Sequence, residues 1–126
     1  MKEIIETSNA PAPIGPYSQA VKVGNMYYLS GQIAIDPATG NMITDNLEAE
    51  THQVMKNIGA ILTDQGMDYS NIVKTSIFLQ NMGDFAEVNG IYGSYFSSDF
   101  PARETVEVAG LPKGVNVEIS VIAVKG

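Results

Sequence analysis

The chain has 126 residues, with 14 acidic against 7 basic side chains for a formal charge of −7, and 44% of it is hydrophobic. That length suits a single domain, residues 1–126, with a core that needs no disulfide or structural metal. With no cysteine and one histidine, His52, there is no thiol nucleophile and no ligand set for a zinc or iron centre, and the scattered lysines offer no track for nucleic acid.

Residues 2–6 read as a short strand. Pro11, Pro13, Gly15 and Pro16 then forbid regular structure and make a stiff loop that holds Tyr17. Two strands, near 18–23 and 26–32, meet at Gly24-Asn25, a hairpin turn. Asp36-Pro37-Ala38-Thr39-Gly40 is a further turn. Leu47, Thr51, Val54, Met55, Ile58, Ile61 and Leu62 recur at helical spacing, and Gly66 closes that helix. A strand follows near 71–79. Asp84-Phe85-Ala86-Glu87 has the form of a capping box opening a second helix, whose stripe is Phe85, Val88, Asn89, Tyr92, Tyr95 and Phe96. Strands near 105–109 and 115–124 finish the chain, joined by Gly110-Leu111-Pro112-Lys113-Gly114. The order β-β-β-α-β-α-β-β gives an α+β domain, with two helices packed on one face of a mixed sheet. No apolar run approaches membrane-spanning length, and the first residues lack the apolar stretch of a signal peptide. The expectation is a soluble cytoplasmic protein.

Some residues are not explained by packing alone. Arg103 is the only arginine in an acidic chain. A guanidinium matches a carboxylate with two parallel hydrogen bonds, so Arg103 is either an anion clamp or one partner of a structural pair with Glu104, Glu107 or Glu118. In the last strand Val117, Ile119, Val121 and Ala123 occupy one face, and Glu118 lies on the other. There Glu118 is a solvated carboxylate, unless Arg103 is near, in which case the two make a minimal hydrolytic site. They share a face if their strands pair antiparallel around the intervening turn. Asn89 interrupts an apolar stripe and either ties down a loop or points at a ligand. Gly90 and Gly93 in the same helix suit either the close approach of another backbone or subunit, or exposed positions. Ser30 and Gly31 mark a strand end where backbone can approach a ligand, or a bulge. His52 falls one step from its helix's apolar stripe and reads as partly exposed.

Several blocks of the chain resemble signatures of the RidA/YjgF family. They are Ile14-Gly15-Pro16-Tyr17-Ser18-Gln19-Ala20, Leu29-Ser30-Gly31-Gln32, Asp84-Phe85-Ala86-Glu87-Val88-Asn89 and Phe100-Pro101-Ala102-Arg103. The ending, from Leu111-Pro112 through Val117-Glu118-Ile119 to Ile122-Ala123-Val124, does so too. The blocks occur in family order and cover nearly the whole chain. The resemblance implies a chorismate-mutase-like fold and a homotrimer, its sheets lining a central barrel, its helices outside, and clefts between subunits. It also implies hydrolysis of 2-aminoacrylate and 2-aminocrotonate, the enamines of 2-iminopropanoate and 2-iminobutanoate, to 2-keto acids and ammonia. No cofactor and no metal are implied.

By matching motif, Arg103 holds the substrate carboxylate. Glu118 positions or activates the attacking water and manages protons, and Tyr17 closes over the substrate. Ser30, the Gly31 backbone, Phe85 and Asn89 line the pocket. Thr105, where many relatives have cysteine, contacts substrate through its backbone. Two departures from the family pattern stand out. Ser120 replaces a second Glu, and Glu104 follows Arg103 where many relatives have Ser or Thr; strand alternation places Glu104 opposite Arg103. The alternative function is a trimer of the same family that binds small keto acids without turnover. Endoribonuclease activity, also attached to this family, conflicts with the charge of −7.

Overall fold

The computed structural model describes residues 1–126. Its elements are β1 (Glu3–Ile5), β2 (Ala20–Val23), β3 (Met26–Gln32), α1 (Leu47–Asp64), β4 (Ile72–Leu79), α2 (Phe85–Gly93), β5 (Ala102–Glu107) and β6 (Val117–Val124). This is the order the pattern predicts. The strands form one six-stranded sheet in the order β1-β2-β3-β6-β4-β5. Neighbours are antiparallel except β4 and β5, which the crossover through α2 makes parallel. No helix is long and apolar enough to cross a membrane.

Alternation sorts the two faces. Val117, Ile119, Val121 and Ala123 of β6 are buried, and so are Tyr27 and Leu29 of β3 and Thr75, Ile77 and Leu79 of β4. All of these but Thr75 meet Val54, Met55, Ile58, Ile61 and Leu62 of α1 in one core cluster. Asn46 caps α1 by accepting from the Ala49 N–H at 2.7 Å, and Gly66 follows its end at φ +74°. Both helices lie on this face, which leaves the other bare. The bare face carries Glu118, Ser120 and Ile122 of β6 beside the exposed Tyr28 and Val106.

Three local expectations change and one open alternative narrows. Asp84 makes no capping bond, because it ends a 3₁₀ turn (Met82–Asp84) in helical conformation; Asn81 caps that turn instead, accepting from Gly83 at 2.8 Å. α2 stops at Gly93, so Tyr95 and Phe96 pack on the core from beyond its end. β5 begins at Ala102 and takes in Arg103. A Cβ at Gly90 or Gly93 would meet nothing within 4 Å, so no backbone of the same chain presses on either.

Candidate active site

The first group of site residues gathers at the bare-face end of β3. A bulge between Leu29 and Gln32 breaks the β3–β6 register there and turns the Gly31 backbone toward β6. Glu118 fills the space above it, so a Cβ on Gly31 would overlap the carboxylate oxygen and lie 2.9 Å from Cδ. Burial pushes the Glu118 carboxyl above its ordinary value. The Ser30 hydroxyl donates to the Ser18 carbonyl and ties β3 to the segment just before β2. These groups line a pocket of about 490 Å³ whose outer wall is the proline-rich loop, with Ile14 and Tyr17, and whose rim includes Lys113. Tyr17 is 53% exposed.

Gln19 holds that loop. Its amide oxygen accepts from Thr7 N–H at 2.7 Å, and its NH₂ donates to the carbonyls of Thr7, Ala10 and Pro11 at 3.0, 3.2 and 2.8 Å. The side chain is 2% exposed, so these bonds replace water for a segment without ladder partners.

The second group lies on the helix face. Arg103 is in register with the buried Thr75 and points toward α2. Its Nη1 donates to Asn89 Oδ1 at 2.6 Å, and its guanidinium carbon stands 5.7 Å from the Phe85 ring centroid and 5.4 Å from that of Tyr92. Tyr92 is anchored by donating to Thr75 Oγ1 at 2.9 Å, and burial raises its phenol. The potential acidic partners are engaged elsewhere. Glu104 pairs with Lys74 at 2.9 Å and accepts from Ser76 on the opposite face, and Glu107 accepts from Met82 N–H at 2.7 Å. A structural Arg–Glu pair is therefore absent, and Glu104 does face away from Arg103. The guanidinium keeps donors free toward an open hollow edged by Gly93, Phe100 and Pro101. Asn89 is exposed and orients Arg103, so it is not the buried amide that the stripe suggested. Thr105, two residues along β5 on the same face as Arg103, has a buried hydroxyl oxygen with no hydrogen-bond partner.

The two groups do not meet within one chain. β5 and β6 are not neighbours; β4 lies between them, with Thr75 beside Arg103 and Phe78 beside Glu118. Two strand spacings and three residues along the strand separate the Cα positions by about 14 Å. The side chains also point from opposite faces of the sheet. Antiparallel pairing of β5 with β6 around the turn is thus excluded.

A family model described as Endoribonuclease L-PSP matches residues 7–125. A 2-iminobutanoate/2-iminopropanoate deaminase of Mus musculus is 47% identical over 126 residues, covering 100% of this chain and 93% of the relative. The Rid-family protein YyfA of Yersinia pestis superposes with a TM-score of 0.96 at 51% identity, covering 99% of this chain and 100% of that one. This chain belongs to the RidA/YjgF family. E. coli TdcF, solved with bound serine, matches at a TM-score of 0.93 and 38% identity, covering 98% and 99% of the two chains. Of the family's motif residues, the fold collects Tyr17, Ser30, Gly31 and Glu118 in one pocket and Asn89 and Arg103 at another, with Phe85 beside the Arg103 guanidinium. Sequence reasoning missed the parts played by Gln19, Tyr92 and Phe100. Gln19 closes the loop motif and Tyr92 lies in the apolar stripe, but neither pattern distinguishes a holding residue from a packed one.

Proposed function

We propose that the chain hydrolyses 2-imino acids such as 2-iminopropanoate and 2-iminobutanoate to 2-keto acids and ammonia, at sites formed between copies of itself in a homotrimer. The observation that carries the reading is the unpaired Arg103 guanidinium, held by Asn89 and two aromatic rings with its remaining donors free. That arrangement suits a substrate carboxylate. The names borne by the relatives supply the reaction class. Assembly is supported by the opposite orientation of the two half-sites and by the exposed Tyr28 and Val106 on the bare sheet face.

Arg103 of one copy holds the carboxylate, and Glu118 of another faces the imine carbon across the cleft. Glu118 accepts a proton from water as the water oxygen bonds to that carbon, and gives the proton to nitrogen, producing a carbinolamine. Glu118 then takes the carbinolamine hydroxyl proton and passes it to nitrogen, so that the C–O double bond forms as the C–N bond breaks, ammonia leaves and Glu118 is a carboxylate again. A sheltered carboxylate with a raised pKa is suited to both transfers. Tyr17 covers the cleft, and the Gly31 backbone and Ser30 shape its floor. Imines hydrolyse slowly unaided, so orientation and a proton path are the main demands. The charge of −7 and the absence of a basic track speak against a ribonuclease.

The test generates the imine in place with a threonine or serine dehydratase and follows 2-keto acid release. Acceleration that disappears in Arg103→Ala, with assembly intact, supports the reading. Binding of 2-ketobutyrate without any acceleration favours the ligand-binding trimer instead.

A further inference from the structure

Glu50 lies in the first turn of α1, is fully buried at 0% exposure, and has no cationic partner. Its Oε2 accepts from Asn116 N–H at 2.7 Å and Val117 N–H at 3.2 Å, and its Oε1 accepts from Asn116 Nδ2 at 2.8 Å. Burying a carboxylate is costly, and only these three donors compensate it. All three come from the two residues immediately before Glu118. Asn116 as a residue is exposed, while the carboxylate that its N–H and amide serve is not. On its other side the Asn116 carbonyl accepts from Gln80 N–H at 3.0 Å, just past the end of β4. The start of β6 is therefore gripped from both sides, by α1 and by the end of β4. One peptide further on, Glu118 fits against a glycine with no room to spare.

We infer that Glu50 is a positioning residue for Glu118: by fixing Asn116 and Val117 it sets where the Glu118 carboxylate meets the Gly31 backbone. The inference rests on the deaminase reading above. It makes a directional claim, because Arg103 stands on β5 beyond β4 and is held by α2, outside the reach of this grip. Disturbing Glu50 should affect turnover and leave the hold on the substrate carboxylate in place.

Two conservative variants of the full-length assembled protein separate positioning from mere support. In Glu50→Gln, the amide oxygen serves both backbone donors, and the Asn116 amide turns over to accept from the new NH₂. Expected kcat stays within about twofold of the parent. Glu50→Asp keeps the charge but shortens the reach by a methylene, about 1.5 Å, and so misplaces the start of β6. Expected kcat falls at least tenfold (order of magnitude from the cost of misplacement) while KM changes by less than about twofold. The acid limb of its pH profile moves toward ordinary carboxylate values as Glu118 loses its sheltered seat. Thermal melting is followed in parallel. Unchanged kcat per assembled site in Glu50→Asp, even with lower stability, overturns the inference. So does loss of kcat in Glu50→Gln, whether or not the Asp variant assembles. If the parent itself shows no imine hydrolysis, it is the deaminase reading that fails. Titration of the Glu118 carboxyl by ¹³C NMR then decides the positioning claim alone, and a titration identical in parent and Glu50→Asp refutes it.

Discussion

Gly31→Ala isolates the placement of the Glu118 carboxylate from every other feature of the site. Gly31 is outside the left-handed region, so its backbone accepts a side chain without strain. The nearest obstacle is Glu118, whose Cδ and Cγ would lie 2.9 and 3.1 Å from the added methyl and whose Oε2 would overlap it. Restoring carbon contacts to about 3.5 Å moves Cδ by about 0.6 Å and the overlapped oxygen by roughly 1 Å. The moving atoms are the end of a flexible side chain, so the expected stability loss is small, about 1 kcal/mol for an off-rotamer Glu118. A misplacement of that size costs about 100-fold in rate, or roughly 2.7 kcal/mol of barrier. The prediction is a variant that melts within a few degrees of the parent and binds 2-ketobutyrate, yet loses about 100-fold in kcat in the dehydratase-coupled assay. Activity within about threefold of the parent would show that Glu118 need not sit against Gly31 for turnover, and would remove it from the proton path.

Other outcomes follow from the same geometry. Arg103→Lys keeps the charge but loses the planar fork, the Asn89 bond and the stacking on Phe85 and Tyr92, so kcat/KM falls by about 10- to 100-fold; steady-state kinetics showing parent values would reject bidentate recognition. Glu118→Gln bears on pH-dependent stability. Burial raises the folded carboxyl above its ordinary 4.5, so the stability its neutral form contributes is fully present below 4.5 and is lost as the pH rises through the folded value. The uncharged variant should melt above the parent near neutral pH, with the gap closing below 4.5; melts that run parallel across pH would contradict the burial argument. Gln19→Ala strands backbone groups of Thr7, Ala10 and Pro11 and costs about 3 kcal/mol in urea denaturation, with faster proteolysis of the proline-rich loop; a loss under about 1 kcal/mol would show that water takes over those bonds.

The element order was legible because each segment advertises its period. The β6 alternation of Val117, Ile119, Val121 and Ala123 and the α1 stripe reappear in the core. The Gly24-Asn25 hairpin closes with Val23 opposite Met26, as a two-residue turn requires. What the sequence hid is which distant strands touch. The short link through Gly110 and Gly114 suggested that β5 and β6 are partners, whereas β4 takes the place between them through side chains spread over both strands. No local signal encodes such a pairing. The same gap explains Asn89: its place in an apolar stripe marked it as buried, and only the crossover that brings β5 beneath α2 reveals Arg103 as its partner. Asp84 illustrates a smaller failure. The capping pattern is present, but a preceding 3₁₀ turn had already taken the chain into helical conformation.

The strand register that turns Arg103 and Glu118 to opposite sides of one sheet has a genetic consequence. If the cleft borrows one residue from each of two neighbours, two dead chains can make a living enzyme. A chain lacking the arginine still lends its glutamate, and a chain lacking the glutamate still lends its arginine. Unfolding and reassembling Arg103→Ala with Glu118→Gln at equal amounts should regenerate intact clefts at about a quarter of the contacts by random pairing. In a cell carrying both alleles, neither would behave as a simple null.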